Sequence, residues 1–225
     1  MRFKILMTAM TLAAPVSLGG AALAEDVTGS VSVETTRELP SGLTIEQVTG
    51  NLAAAKDAKE TRQVERVLAW ADKDGRHVAV FATLTREGIK DDEVWTSKSL
   101  YVTSYLHDAT HNKYTAVQTI RELVNPCNLD MEARFLDQSV TVTDLDKDGQ
   151  AELTFGYVTR CAGDVSPSSK KVLMLEGKAK HALRGESLVD LGDGVTEGGS
   201  YRVDFKKAPK SFKNHAIQVW TASDK

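Results

Sequence analysis

Short runs of β-branched and aromatic residues, separated by turn-forming residues, dominate the middle of the chain. They cover residues 64–71, 78–85, 99–106, 114–122, 140–143, 153–159 and 171–175. Runs of this length and composition are typical of β-strands, and the short polar connections between them favour antiparallel neighbours. The pattern therefore predicts a mainly β fold, β-rich α+β, built from antiparallel sheets.

The C-terminal part of the chain has a different periodicity. Pro209 opens a stretch in which Phe212, Ala216, Val219 and Trp220 recur at helical spacing. Proline is favoured at the start of a helix, and this spacing places the apolar side chains on one face. We expect an amphipathic helix that covers part of the sheet, with core packing a better explanation of the apolar face than partner binding.

The region before the first strand run is harder to assign. Residues 25–50 are polar and rich in threonine, which predicts a loose N-terminal segment with one short strand over residues 44–49. Residues 51–65 carry three consecutive alanines and interleaved charges, which favours a helix. We expect a single β-rich domain over residues 51–225.

The first 24 residues have the pattern of an export signal. Arg2 and Lys4 form a basic start, an apolar run follows, and Ala22 to Ala24 supply an A-x-A cleavage site before Glu25. The apolar run is too short for a typical spanning helix and is interrupted by Pro15. We expect cleavage after Ala24 and a periplasmic or secreted product.

Charge and hydropathy argue against two classes of interaction, binding to nucleic acid and insertion into a membrane. The chain has 28 Lys and Arg against 31 Asp and Glu, and loss of Arg2 and Lys4 with the signal changes 28 − 31 = −3 into 26 − 31 = −5. A mildly acidic protein with few clustered lysines is a poor partner for nucleic acid. Beyond the signal, no apolar stretch approaches the length of a membrane span.

The chain has two cysteines, Cys127 and Cys161. Disulfides persist in exported proteins, so a Cys127–Cys161 bridge is expected. Such a bridge would stabilise the fold by about 4 kcal/mol in the chain-entropy view. The alternative, a nucleophilic thiol, lacks a flanking histidine signature.

The densest cluster of acidic residues lies in the stretch TVTDLDKDGQAELTF, residues 141–155. Four carboxylates fit the pattern D-x-D-x-D-G-x-x-E, and the residue after the glycine can add a backbone carbonyl; in order these are Asp144, Asp146, Asp148, Gln150 and Glu152. Alternate side chains in such a turn face a common centre, and oxygen ligands of this kind favour Ca²⁺. A solvated acidic hairpin tip without a metal is the alternative.

The flanking segments decide which type of calcium loop this could be. An EF-hand requires a bidentate acid at its twelfth position, which here is Phe155, and it requires helices where this chain has strand-like residues. The pattern instead resembles the strand-to-strand calcium loops of FG-GAP repeats in integrin-type β-propellers. That resemblance covers about ten residues.

An earlier stretch echoes this loop. Residues 67–85, VLAWADKDGRHVAVFATLT, align with residues 140–159, and Asp72, Asp74 and Gly75 match Asp146, Asp148 and Gly149. The outer ligand positions are replaced in the earlier copy. The echo is explained either by duplication or by recurrence of a favoured hairpin turn.

A wider resemblance runs from about Trp70 to the predicted helix that contains Trp220, and it is strongest between Cys127 and Gly185. Cys127, the TDLDKDGQAELTF stretch, CAGDVSP at residues 161–167, KVLMLEG at 171–177 and KHALRG at 180–185 are similar to a family of small exported bacterial proteins labelled as surface polysaccharide biosynthesis proteins. His181 departs from the aromatic residue expected at its position. The resemblance implies a location in the cell envelope and a link to polysaccharide, but no catalytic residue.

Two other groups of residues are weaker candidates for a binding site. Asp164, Ser166 and Arg184 lie in or near the D-V-S-P and L-R-G segments and are candidates for ligand binding, although Asp-x-Ser-Pro is also an ordinary turn. His107 and His111 have the spacing of a helical zinc pair, but their segment has the pattern of two strands and a turn.

These observations favour a non-enzymatic envelope protein that is stabilised by calcium and by one disulfide. That it binds or handles a surface polysaccharide is implied by the family resemblance alone. An enzyme that cleaves such a polysaccharide is a second possibility, because a spatial pair of acids is invisible in one sequence. A structural module that binds an envelope protein is a third.

Overall fold

The computed structural model describes residues 31–50 and 58–224. Strands form 63% of the structure and helices 10%, so the expected mainly β fold is confirmed. The expected signal peptide, residues 1–24, lies outside the described residues. In the part of the chain that is described, no helix has both the length and the apolar character needed to cross a membrane.

Two five-stranded antiparallel sheets form the body of the protein. Sheet 1 has the order β1-β2-β3-β4-β5 and sheet 2 the order β12-β9-β8-β7-β6. The strands of sheet 1 are β1 (Glu34–Thr36), β2 (Lys59–Asp72), β3 (Gly75–Lys90), β4 (Glu93–Asp108) and β5 (Lys113–Cys127). The strands of sheet 2 are β6 (Asp130–Thr143), β7 (Glu152–Ala162), β8 (Ser169–Glu176), β9 (Ala179–Glu186) and β12 (Tyr201–Asp204). A separate hairpin consists of β10 (Leu188–Gly192) and β11 (Val195–Gly198).

The main core lies between the two sheets. Leu68, Phe81 and Val102 of sheet 1 share one buried cluster with Phe155 and Leu173 of sheet 2. A second cluster covers the outer face of sheet 1, where Val80 and Tyr101 pack against Leu43 and Val48. The central strand β3 is therefore buried on both faces, and this explains its unbroken apolar run.

The two helices cover the outer faces of the sheets. Helix α2, Lys210–Ala222, begins after Pro209 and buries Phe212, Ala216, Val219 and Trp220, the four residues that the sequence pattern selected. Its apolar face packs on Val172 and Leu183 of sheet 2. The predicted amphipathic helix is confirmed in its position and in its buried face.

The prediction for residues 44–49 was wrong. The chain forms helix α1, Ile45–Thr49, instead of a strand. Thr44 and Gln47 form a capping box, in which each side chain accepts a hydrogen bond from the other's backbone N–H. Burial of Val48 against sheet 1 adds the tertiary contact that a one-turn helix needs.

The prediction of a helix over residues 51–65 was also wrong where the structure describes it, since β2 begins at Lys59. Pairing of β2 with β3 along its whole length outweighs a weak local helix propensity. Residues 51–57 lie outside the described residues. Within residues 31–50, β1 pairs with β2 next to α1.

The expected disulfide is present. Cys127, the last residue of β5, is bonded to Cys161 near the end of β7, and the bond therefore joins the two sheets. The direct connection from β5 to β6 passes beside it. One end of the sandwich is thus closed by covalent bonds.

A long bulge interrupts β6. Leu136 pairs with Gly156 and Thr141 pairs with Thr154, so three extra residues are inserted on the β6 side. The buried Ser139 hydroxyl donates to the Leu136 carbonyl and accepts from the Gly156 N–H at 2.6 Å. A β-carbon at Gly156 would lie 3.1 Å from Ser139 Oγ and 3.2 Å from Leu136 Cδ1, closer than ordinary contact. A side chain at this position would therefore require Ser139 or Leu136 to shift.

We expect Gly156→Ala to destabilise the protein by about 1–3 kcal/mol, because the added methyl group overpacks the bulge. Chemical denaturation measures the loss. Gly163→Ala is the matched control, since its β-carbon would meet only Leu129 Cδ2, at 3.8 Å. Equal losses in the two variants would show that the close packing at Gly156 has no special role.

Acidification should weaken the attachment of α2. A hydrogen bond of 2.9 Å joins His215 Nε2 to Thr141 Oγ1 of β6. Burial lowers the pKa of His215. As the pH falls through about 6.5, the unfolded chain binds a proton that the folded protein does not bind. The contribution of His215 to the free energy of unfolding should therefore decrease as the pH falls below that value, while the raised pKa of Glu152 acts in the opposite direction and is common to the natural protein and its His215 variant.

We expect His215→Gln to make this loss shallower, as measured by the free energy of unfolding between about pH 7 and pH 5. His181 lies on the same interface, and burial lowers its pKa too, so part of the loss should remain. Lys213→Gln, on the exposed face of α2, is the control. An unchanged slope in His215→Gln would contradict the assignment.

Candidate metal centre

The acidic loop, residues 144–151, connects β6 to β7 at the end of the hairpin opposite the disulfide. Gly149 has φ of +86°, a left-handed conformation that glycine adopts without strain. Backbone N–H groups then hold the carboxylates in place. Gly149 N–H donates to Asp144 Oδ2 at 3.1 Å, and Gln150 N–H donates to Asp148 Oδ1 at 2.7 Å.

Asp144, Asp146 and Glu152 converge. One oxygen from each lies within 4.8 Å of the others. Two oxygens bound to one calcium ion are at most about 5 Å apart, twice the usual bond length. The three carboxylates are therefore close enough to share an ion.

Glu152 is the most informative member of this group. Its side chain is fully buried, at 0% exposure. Oε2 accepts hydrogen bonds from Leu145 N–H at 2.9 Å and from Thr143 Oγ1 at 3.0 Å. Oε1 has no partner among the described residues, and the same holds for Asp144 Oδ1. Burial raises the pKa of Glu152 to about 7.

A buried carboxylate oxygen without a partner is costly, and it requires an explanation. Both unpartnered oxygens, Glu152 Oε1 and Asp144 Oδ1, belong to the group of carboxylates that converge. A cation at their centre would satisfy them. The oxygen-only donor set and the flexible turn fit calcium better than zinc or copper.

Asp148 is placed differently from the other predicted ligands. Its Oδ2 forms an ion pair with Lys73 Nζ at 2.8 Å. The hydrogen bond and charge of Lys73 hold the pKa of Asp148 below its usual range. Asp148 also lies near Asp146 and Glu176, with one oxygen of each within 4.8 Å of the others. Asp148 is thus a second, outer part of the acidic cluster.

Gln150 has a role that the sequence did not indicate. Its side-chain amide donates to the Asp74 carboxylate in the turn between β2 and β3. Lys73 N–H donates to the Gly149 carbonyl at 2.9 Å, and Ala151 N–H donates to Asp72 Oδ2 at 3.1 Å. The two Asp-Lys-Asp-Gly turns that echo each other in the sequence therefore contact each other across the sheets. Participation of the Gln150 carbonyl in metal binding stays a prediction.

Glu176 and Lys73 were missed by the sequence analysis. Glu176 ends β8, which pairs with β7 and so brings this carboxylate beside the loop. Burial, followed by the charges of Asp146 and Asp148, raises the pKa of Glu176. In the sequence, the only local indication of a role for Glu176 is that this acidic residue ends an apolar run just before Gly177.

The other candidate residues lie away from the loop. Ser166 Oγ donates to Asp164 Oδ1 at 2.8 Å, and the carbonyls of both residues accept hydrogen bonds from Arg160. Arg184 forms an ion pair with Asp204 at 3.3 Å. These contacts hold a turn and an edge of sheet 2. Ligand binding by Asp164, Ser166 and Arg184 stays a prediction.

The histidine pair lies on the turn between β4 and β5, as the strand-like pattern indicated. His107 contacts Asn112 Oδ1 at 3.2 Å, and His111 contacts Asp108 Oδ2 at 2.7 Å. The two rings thus have different partners.

The cavity beside the acidic loop is too small for an organic molecule. The cavity bordered by Asp72, His77 and Gln150 has a volume of about 20 Å³. This is enough for about one water molecule and far below the volume of a ligand pocket. The loop is suited to an ion.

Comparison of the chain with protein-family models, with curated proteins and with solved structures finds no match to any of them. Any inference about function therefore rests on the residue patterns, the fold and the geometry of the acidic loop.

Proposed function

We propose that the protein is an exported, non-enzymatic binding protein of the cell envelope whose sandwich is stabilised by a calcium ion in the acidic loop. The observation that carries the metal is the fully buried Glu152. Its Oε1 has no hydrogen-bond partner in the described ranges, and one of its carboxylate oxygens lies within 4.8 Å of oxygens of Asp144 and Asp146. Without a cation, this arrangement combines desolvation with repulsion between like charges.

The magnitude of the repulsion supports a cation. Two carboxylates about 5 Å apart repel by about 3 kcal/mol at an effective dielectric constant near 20. Partial protonation of Glu152 relieves this in the absence of metal, as its raised pKa indicates. A divalent ion changes the sign of the interaction and allows all three carboxylates to be charged.

Calcium in the loop would act on the whole sandwich. The loop contacts the β2–β3 turn of sheet 1 through Lys73, Asp74 and Gln150, and it continues directly into the core strand β7. An ion that orders the loop would therefore hold the two sheets together at this end. The disulfide does the same at the other end.

Export and the link to polysaccharide have separate support. The residue pattern of the first 24 positions and the interior disulfide both fit an oxidising compartment outside the cytoplasm. The polysaccharide is suggested by the resemblance in residues 127–185. In this proposal the protein binds or handles a surface polysaccharide and does not cleave it.

The decisive variant for the metal is Glu152→Gln. The glutamine carbonyl can still accept from Leu145 and Thr143, while its amide can donate to the neighbouring carboxylates. We expect Glu152→Gln to be as stable as the natural protein, or more stable, in excess chelator. In calcium, the natural protein should gain about 2.7 kcal/mol at 100 times the dissociation constant, and the variant should gain far less. Thermal melts with the disulfide intact measure both effects.

Asp130→Asn, at the opposite end of β6, is the matched control and should keep the full calcium response. A natural protein that melts at the same temperature in calcium and in chelator would contradict the proposal. So would a Glu152→Gln variant that loses the same stability in both conditions, because that result would mean a purely structural hydrogen-bonding role.

The proposed link to polysaccharide is tested separately. We expect the mature protein to bind surface polysaccharide purified from the producing cells, and to leave the length of the polysaccharide chains unchanged after prolonged incubation. Co-sedimentation measures binding and size-exclusion chromatography measures chain length. Shortened chains would indicate an enzyme, and absence of binding would contradict the link to polysaccharide while leaving the calcium proposal intact.

A further inference from the structure

A cleft of about 450 Å³ opens between the two sheets beside the bulge of β6. Its volume is within the range of pockets that bind small molecules. One wall comes from β2, β3 and β4 of sheet 1, and the other comes from the bulge, where Asp137 and Gln138 are exposed. Ser223, just after α2, borders it as well.

The position of the cleft follows from the bulge. The three extra residues of β6 turn the chain away from regular pairing with β7, so the sheets separate locally instead of closing over the core. Arg66 of β2 reaches across and pairs with Asp137 Oδ1 at 2.7 Å. This ion pair between the sheets holds the two walls at a defined separation.

The charge of the lining is opposite to that of the chain. Four cations, Arg37, Arg66, Lys98 and Arg134, face two acids, Glu65 and Asp137, a formal balance of 4 − 2 = +2. The whole chain has a formal net charge of −3. Among residues 31–50 and 58–224, neither Arg37 nor Lys98 has an ion-pair partner within 4 Å, so the surplus is carried by groups that can bind an anion.

Lys98 is the most unusual of these residues. It lies on β4 in register with Leu100 and Val102, on the face of sheet 1 that packs against sheet 2. An apolar residue would be expected at this position. Lys98 is a partly buried cation that lines the cleft without an acid partner among the described residues, and its ammonium group can donate to an anionic ligand.

The remaining lining suits a sugar. Phe135 is partly exposed and offers an apolar ring surface, and it is fixed by an edge-to-face contact with Phe81 at 5.2 Å. Gln138 supplies an amide that both donates and accepts hydrogen bonds, which matches hydroxyl groups. Ser223 Oγ donates its proton to backbone carbonyls at the end of α2 and can accept a hydrogen bond from a hydroxyl group. An aromatic surface, paired polar groups and surplus cations together fit a ring that has hydroxyl groups and an acid group.

We propose that this cleft binds an acidic sugar unit, with its carboxylate near Lys98 and Arg37 and its ring against Phe135. The inference rests on the proposed link to polysaccharide and specifies which class of polysaccharide is recognised. Calcium bound in the acidic loop would act on this cleft indirectly, since the loop and one wall of the cleft both belong to the β6–β7 hairpin.

The test uses two saccharide probes of equal length, an oligogalacturonate and a neutral oligoglucan, and isothermal titration calorimetry on the mature protein, in calcium and in chelator. We expect the acidic probe to bind at least about tenfold more tightly than the neutral one, because charge-assisted contacts are strong. Lys98→Met should weaken binding of the acidic probe about tenfold or more and leave the neutral probe unchanged. Lys213→Met, which removes the same charge from the exposed face of α2, should change neither.

Arg37→Gln provides a second variant on an exposed side chain, should Lys98→Met fold poorly, and it should also weaken binding of the acidic probe selectively. Equal binding of both probes, unaffected by either cleft variant, would overturn the inference while leaving the link to polysaccharide in place. Binding of neither probe, by a protein that does bind the purified surface polysaccharide, would also overturn it. Absence of binding to all three materials would overturn the link to polysaccharide as well.

Discussion

The structure depends on how the buried carboxylate of Glu152 is satisfied. Glu152 begins β7, the strand that supplies Leu153, Phe155 and Tyr157 to the core between the sheets. Two hydrogen bonds anchor one of its oxygens to the end of β6 and to the loop. The other oxygen has no hydrogen-bond partner in the described part of the chain, and the carboxylate lies beside those of Asp144 and Asp146. A cation at that point would complete the connection between β6, the loop and the core.

The two sheets are joined at both ends of the sandwich, and the acidic loop forms one of these connections. The disulfide joins β5 to β7 at one end, and the loop contacts the β2–β3 turn at the other. The Lys73 ammonium pairs with Asp148, while Asp144, Asp146 and Glu152 lie close to one another. The bulge in the middle of the same hairpin separates the sheets and creates the basic cleft. One hairpin thus connects a proposed ion site, the core and a proposed ligand site.

Much of this could be predicted from local patterns. The apolar runs located β2 to β8, since each of these strands contains one of them, and the spacing of Phe212, Ala216, Val219 and Trp220 fixed the buried face of α2. The disulfide was also predicted correctly, because two cysteines allow only one pairing within the chain. Features that depend on distant partners were missed. The helix expected before β2 failed at Lys59–Glu65 because pairing with β3 outweighs local propensity, and the polar sequences of β9 to β12 gave no clear period. Glu176, Lys73 and the cleft became apparent only once β8, β2 and β4 had been placed against the β6–β7 hairpin.

The most direct test of the account is a calcium titration of the mature protein by isothermal titration calorimetry, compared with Glu152→Gln. The account predicts saturable binding of calcium by the natural protein and a large loss of affinity in the variant, because the variant lacks the buried charged oxygen that completes the site. No detectable binding by the natural protein, or equal binding by both proteins, would contradict it.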